Sequence, residues 1–127
     1  MNKEILTVVE VVSAEKGVEK EVILLGFSQG GSMTYRCGLS RPDLFEGAII
    51  LSSGFPEDAT PYLSGDAKQT IFIGNGLQDN IERSRNANAV LLQNGYNVRY
   101  EEYSIGHEIT QDVINDVVDW IKSTLAA

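Results

Sequence analysis

The sequence predicts an α/β domain built on a parallel sheet, and three features of its 127 residues support this prediction. Short apolar runs recur along the chain, segments with helical spacing alternate with them, and polar turn residues separate the two. Strands that helices cover on both faces carry such continuous apolar runs. Alternating strands and helices form βαβ units with right-handed crossovers. We therefore expect about four parallel strands with flanking helices, in a single domain over residues 1–127.

The first element is ambiguous by pattern. The apolar residues between positions 5 and 12 follow helical spacing, which favours a helix, although valine-rich segments also form strands. Lys16 and Gly17 then end this element. A helix over residues 5–12 is the expectation.

The strands of the sheet follow. Three continuous apolar runs predict buried strands, at residues 21–26, 47–53 and 69–74. Residues 98–103 alternate apolar with charged side chains, as expected of a strand at the edge of the sheet.

Helices are predicted between and after these strands. Residues 29–39 form one that ends before Pro42, and residues 81–93 form another, with Gly95 just past its end. The final helix has six apolar residues on one stripe: Val113, Ile114, Val117, Val118, Ile121 and Leu125. Residues 53–68, which contain two prolines, are expected to be an ordered loop.

Composition excludes several classes of function. The formal net charge of −8 argues against nucleic acid or an anionic membrane as a partner, because both require a basic surface. The single cysteine, Cys37, rules out an internal disulfide and fits a reducing, cytoplasmic compartment. With His107 as the only histidine, a Cys/His metal cluster is not expected. Neither a signal peptide nor an apolar run of about 20 residues, as a membrane span requires, is recognisable.

The run Gly26-Phe27-Ser28-Gln29-Gly30 closes an apolar strand and opens a helix. This is the setting of a nucleophile elbow, in which the glycines let strand and helix approach and a strained turn exposes the serine hydroxyl. The alternative without a catalytic role is that Ser28 is an ordinary N-cap of the helix that follows the strand. The strand-turn-helix context favours a nucleophilic Ser28.

A nucleophilic serine needs a base, and the base needs an orienting acid. His107 follows the last strand, and Asp79 follows the third, so both belong to the same edge of the sheet as Ser28. Asp58 and Asp66, in the preceding loop, are weaker candidates for the acid. Taken singly, His107 could be a residue that caps the start of a helix or is solvated there. Asp79 could be an acidic residue that the helix dipole favours at a helix N-terminus. Their order along the chain supports a triad.

The other noticeable side chains are expected to have ordinary structural roles. Met33, Cys37 and Trp120 are expected in the core, and Glu82, Arg83 and Arg85 on a solvated helix face. Four apolar loop residues could line an acyl pocket, although loop packing explains them equally well: Phe27, Phe55, Tyr62 and Leu63.

Five motifs together resemble the phospholipase/carboxylesterase family of the α/β-hydrolase fold, which includes the acyl-protein thioesterases. They are Gly26-Phe27-Ser28-Gln29-Gly30-Gly31-Ser32-Met33, Pro42-Asp43-Leu44-Phe45, Leu51-Ser52-Ser53-Gly54, Gly76-Leu77-Gln78-Asp79 and Gly106-His107-Glu108.

The resemblance implies a shortened α/β-hydrolase. It implies a serine carboxylesterase with Ser28 as nucleophile, Asp79 as acid and His107 as base, acting through an acyl-enzyme on short- to medium-chain esters or thioesters. It further implies that no cofactor is needed. Phe27, Phe55 and Leu77 are the expected substrate contacts, and no metal is expected. The family usually has a histidine where this chain has Asn75.

The larger departure from the family lies before the elbow, where its usual N-terminal part is lacking. One oxyanion donor would be the amide of Gln29, but no earlier loop in this sequence offers the second. The apolar strand at residues 21–26 would also lose its usual neighbour, so we expect a homodimer through that exposed edge, or a partner segment that covers it. A catalytically impaired hydrolase fragment and an oligomer-forming α/β module are the alternatives to an active esterase.

Overall fold

A computed structural model describes residues 9–16, 19–66 and 68–126. The described elements are β1 (Val9–Lys16), β2 (Glu19–Phe27), α1 (Gln29–Ser40), β3 (Gly47–Leu51), a 3-10 helix (Glu57–Ser64), β4 (Thr70–Gly76), α2 (Ile81–Gln93), β5 (Asn97–Tyr103) and α3 (Gln111–Ala126).

The five strands form one sheet in the order β1-β2-β3-β4-β5, and β2 to β5 are parallel. The predicted α/β class with four parallel strands and flanking helices is confirmed. Neighbouring strands pair in step, with Phe27 opposite Leu51 and Leu51 opposite Gly74. The carboxyl ends of the parallel strands therefore meet at one edge, and the loops that follow them lie side by side.

The helix expected over residues 5–12 is wrong where the structure describes it. Residues 9–16 form β1, antiparallel to β2, with Val9 opposite Gly26 and Lys16 opposite Glu19. β-branched side chains favour the extended backbone, and pairing satisfies main-chain groups of β2 that a helix would leave without partners. Residues 5–8 and Gly17 lie outside the described residues.

The strand at residues 21–26 does not present an open edge, which corrects the premise of the expected homodimer. β1 runs along β2 through eight paired positions and occupies that edge. A second chain could pair with β2 only by displacing β1. The outer strands of the described sheet are β1 and β5.

Two apolar layers hold the sheet between the helices. On one face, buried residues of α1, the 3-10 helix and α2 pack against the strands, among them Tyr35, Leu63 and Leu91. On the other face α3 contributes Val113, Val117 and Trp120. Trp120 is thus in the core, as expected, whereas Ile114 and Val118 of the same predicted stripe are 44% and 42% exposed.

Two further expectations need correction. Met33 is 45% exposed and Cys37 is also exposed, because α1 turns Tyr35 and Leu39 toward the sheet instead. The predicted loop at residues 53–68 contains the 3-10 helix, whose first residue follows the extended Pro56 and which includes Pro61.

Among the helices of the described segments, none combines the length and apolar character of a membrane span.

Candidate active site

Ser28 occupies a sharp turn between β2 and α1. Its φ of 62° and ψ of −122° are strained for a residue with a side chain, at a cost of about 1–3 kcal/mol. The turn is held on both sides: the Ser28 amide donates to the Leu51 carbonyl at 2.9 Å, and its carbonyl accepts from the Gly31 amide at 2.9 Å.

The glycines around Ser28 allow β2 and α1 to approach closely. A Cβ on Gly26 would overlap the carbonyl oxygen of Gly30, and one on Gly31 would lie 2.5 Å from the Cβ of Ser53. A side chain at Gly26 would push α1 away from β2, and one at Gly31 would push it away from β3 and the segment that follows. The local geometry is that of the elbow expected from the sequence.

His107 lies in the loop after β5 and reaches the serine. Its Nε2 is 3.0 Å from the Ser28 Oγ, and the Phe27 ring packs against the imidazole with centroids 4.9 Å apart. A Cβ on Gly76 would overlap the Ile105 carbonyl oxygen, so the glycine lets the histidine loop lie directly on the end of β4. The imidazole itself remains 45% exposed.

Asp79, in the loop after β4, completes the arrangement. Its Oδ2 is 2.7 Å from the His107 Nδ1, and its side chain is only 13% exposed. Asp58, the weaker candidate, pairs with Arg36 on the surface at 2.9 Å, and Asp66 is also exposed. The structure thus brings the three predicted residues into one line of side-chain contacts from Asp79 through His107 to Ser28.

A buried amide fixes the loop that carries the acid. Asn75 is 2% exposed, and its Nδ2 donates to the carbonyls of Gly76 at 2.9 Å and Asp79 at 2.7 Å. Its Oδ1 accepts a 2.6 Å hydrogen bond from the Ser84 hydroxyl. A polar side chain at the end of an apolar strand was the signal in the sequence for this role.

Arg83 also contacts the acid, although we expected it on a solvated face. Its Nη2 lies 3.3 Å from both carboxylate oxygens of Asp79 and donates to the Ser52 carbonyl at 3.0 Å. Ser52, at the end of β3, has a φ of 57°. The spacing of four residues between Asp79 and Arg83 could have indicated the pair.

The amide of Gln29 is available to stabilise negative charge. Gln29 is the first residue of α1, so its N–H has no acceptor within the helix and lies at the positive end of the helix dipole.

Val9 pairs with Gly26, so the start of β1 lies at the Ser28 end of the sheet.

The three predicted substrate contacts are not together. Phe27 is beside His107, and Leu77, which is 45% exposed, belongs to the loop of Asp79. Phe55 instead packs edge-on against Tyr35, with ring centroids 5.2 Å apart, and lines a cavity to which no triad residue contributes.

Similar proteins are esterases by description. The chain is 30% identical over 115 residues to a probable carboxylesterase of Oryza sativa subsp. japonica, covering 85% of this chain and 43% of that protein. It is 29% identical over 117 residues to a probable SOBER1-like carboxylesterase of Arabidopsis thaliana, covering 86% and 45%.

The structure is also similar to solved structures of esterase PE8 and of SOBER1. The crystal structure of esterase PE8 has a TM-score of 0.71 at 25% identity, over 80% of this chain and 49% of that one. That of Arabidopsis thaliana SOBER1 has a TM-score of 0.67 at 26% identity, over 81% and 52%. The chain therefore spans about half the length of these proteins. The sequence model of the phospholipase/carboxylesterase family matches residues 2–125, and the chain belongs to that family.

Proposed function

We propose that this protein is a serine carboxylesterase, with Ser28 as nucleophile, His107 as general base and Asp79 as the orienting acid. The observation that carries the proposal is the continuous line of contacts, 3.0 Å from Ser28 to His107 and 2.7 Å from His107 to Asp79. Such a line on a strained strand-to-helix turn is the arrangement that activates a serine hydroxyl.

In acylation, the Ser28 Oγ attacks the ester carbonyl and passes its proton to the His107 Nε2. The tetrahedral intermediate then loses the alcohol, which takes that proton from the imidazolium, and an acyl-enzyme remains. Water attacks the acyl-enzyme by the same route, with His107 again as base, and releases the carboxylic acid. Asp79 accepts from Nδ1–H, which keeps Nε2 free to accept and stabilises the imidazolium.

The Gln29 amide would bind the oxyanion of the intermediate. Loss of one oxyanion donor typically lowers kcat by about 10²–10³-fold, so this amide is an essential part of the proposed site.

The substrates we propose are carboxylic esters with short to medium acyl groups, and thioesters of the same acyl groups. Phe27 packs beside the base and the exposed Leu77 lies in the acid loop, so both offer apolar surface to an acyl chain near Ser28. The lone cysteine fits the cytoplasm as the place of action. We also infer that the chain, as one domain over residues 1–127, corresponds to the carboxyl-terminal half of the usual fold, since its relatives are about twice as long.

The test is hydrolysis of p-nitrophenyl acetate and butyrate, together with labelling by a fluorophosphonate probe read by mass spectrometry. The Ser28→Ala variant should lose both turnover and label, because the nucleophile is gone. Ser40→Ala, at the other end of α1, is the matched control. Equal rates for Ser28→Ala and the unaltered protein would refute the proposal.

A catalytically impaired hydrolase fragment is the second candidate, because the chain spans about half of its relatives' length. It predicts a folded protein whose Ser28 does not react with the fluorophosphonate probe. Labelling of Ser28 without ester turnover would show that the serine is nucleophilic and that the defect lies in oxyanion stabilisation or in deacylation.

A further inference from the structure

A cavity of about 530 Å³ lies between the 3-10 helix and α2. Its walls come from residues 54–64 and 83–94, and no member of the triad lines it. Its volume falls within the range of about 300–1,000 Å³ that is typical of small-molecule sites.

The floor of the cavity is apolar and anchored in the core. Leu63 is 5% exposed and Ala87 is fully buried, and the partly buried Phe55 and Val90 pack against the same core cluster. Phe55 is held further by its edge-on contact with Tyr35. A preformed apolar wall of this kind favours an aliphatic or aromatic group, because the floor need not rearrange to receive it.

The rim supplies hydrogen-bond donors. The three hydrogen bonds that Arg83 makes with described residues all leave from Nη2, and its Nε is buried, so Nη1 is the nitrogen left to donate to an occupant. Asn86 and Asn94 are exposed on the same rim. A carbonyl oxygen of an occupant could therefore accept from this side while its apolar part lies on the floor.

Charge at the rim disfavours an anion. The positive charge of Arg83 already faces the carboxylate of Asp79, and the exposed Glu57 adds a negative charge to the cavity wall. The whole chain carries a formal charge of −8, which repels anions at longer range.

We propose that this cavity is a second binding site, for small uncharged molecules that combine a short apolar chain with a carbonyl group. The apolar chain lies against Phe55 and Leu63, and the carbonyl faces Arg83. Because Arg83 also contacts Asp79, the occupant sits one residue away from the acid of the triad. The site does not depend on ester hydrolysis.

The probe is hexanamide, titrated into the Ser28→Ala protein and followed by ¹⁵N-¹H correlation spectra. We expect saturable shifts in the signals of residues 57–64 and 83–94, and binding of hexanoate at least about tenfold weaker because of the negative rim. Since Ser28 is absent, this result stands or falls independently of the proposed esterase activity.

Two variants that fill the cavity complete the experiment. Val90→Trp from α2 and Thr60→Phe from the 3-10 helix should each abolish the shifts, whereas Leu92→Trp, exposed on α2 outside the cavity, should retain them. If Val90→Trp does not fold, Thr60→Phe decides. Absence of saturable shifts, shifts confined to the loops of residues 28, 79 and 107, or equal binding of hexanoate would overturn the proposal.

Discussion

Arg83 and Asp79 form an ion pair inside the candidate active site, with the arginine Nη2 3.3 Å from both carboxylate oxygens. The same nitrogen binds the Ser52 carbonyl, so Arg83 links the end of β3 to the acid loop after β4. The carboxylate thus has two partners, of which His107 is the closer at 2.7 Å. We therefore infer that Arg83 positions the carboxylate of Asp79 in the proposed triad.

The Arg83→Gln variant should lower kcat for p-nitrophenyl butyrate about tenfold and leave KM nearly unchanged. A hydrogen bond to a charged group contributes about 1.5–3 kcal/mol, and solvent at this partly exposed guanidinium reduces that effect. Arg83→Lys should restore activity only in part, because an ammonium cannot bind both Asp79 and Ser52 as a guanidinium does. Arg85→Gln, on the same helix, is the control. A rise in KM without a fall in kcat would contradict the positioning role.

The Asp79→Asn variant should lower kcat/KM by about 10³–10⁴-fold, because an amide can hold the imidazole in the wrong tautomer and cannot stabilise the imidazolium. Steady-state hydrolysis of p-nitrophenyl acetate measures this effect. Asp58→Asn, which removes a carboxylate paired with Arg36 on the surface, is the matched control and should retain full activity. A comparable loss in both variants would mean that Asp79 is not the acid.

The Gly26→Ala variant should destabilise the protein by about 1–3 kcal/mol or more, because its Cβ would overlap the Gly30 carbonyl oxygen and the Thr34 hydroxyl. Gly65→Ala is the control, since a Cβ there meets nothing within 4 Å. Thermal unfolding measures the difference, and a loss of about 5 °C or more in Tm is expected for Gly26→Ala alone. Equal Tm values for the two variants would show that strand and helix are not in tight contact at the elbow.

The residues of the proposed triad could be nominated from the sequence because each follows a parallel strand, which a continuous apolar run identifies for Ser28 and Asp79 and alternation identifies for His107. Parallel strands bring their carboxyl ends to one edge, so the sequence alone predicts that Ser28, Asp79 and His107 lie close together. Arg83 could not be placed so directly. Its contacts depend on how α2 is rotated relative to the sheet, and the hydrophobic pattern of that helix is weak.

The wrong predictions for α1 and for residues 9–16 have a similar physical origin. The buried stripe of α1 consists largely of Gly30, Gly31, Thr34 and Gly38, so apolarity pointed to Met33 and Cys37 instead. The element at residues 9–16 is a strand because the edge of β2 lies beside it. Neither the close approach of a helix through glycines nor the presence of a neighbouring edge is visible in local periodicity.

Glu102, on β5, provides a prediction for stability in acid. Hydrogen bonds from Arg85 at 2.7 and 3.0 Å, and then from the Tyr100 hydroxyl at 2.6 Å, hold the pKa of its carboxyl at about 2, against the opposing effect of partial burial. A carboxyl whose pKa is lower in the folded state stabilises that state above its ordinary pKa of about 4.5. That contribution is lost progressively as the pH falls from about 4.5 toward 2.

The Glu102→Gln variant should therefore unfold more easily than the unaltered protein at pH 7, and the difference should shrink as the pH falls from about 4.5 toward 2. Urea unfolding at a series of pH values measures it, with Glu82→Gln as the control for removing one surface charge, since that carboxylate is 72% exposed. The difference is expected to be modest because Glu102 is itself partly exposed and solvent screens its pairing with Arg85. A stability difference that is the same at pH 7 and pH 2 would show that the charge of Glu102 does not contribute, and that only its packing and hydrogen-bond geometry matter.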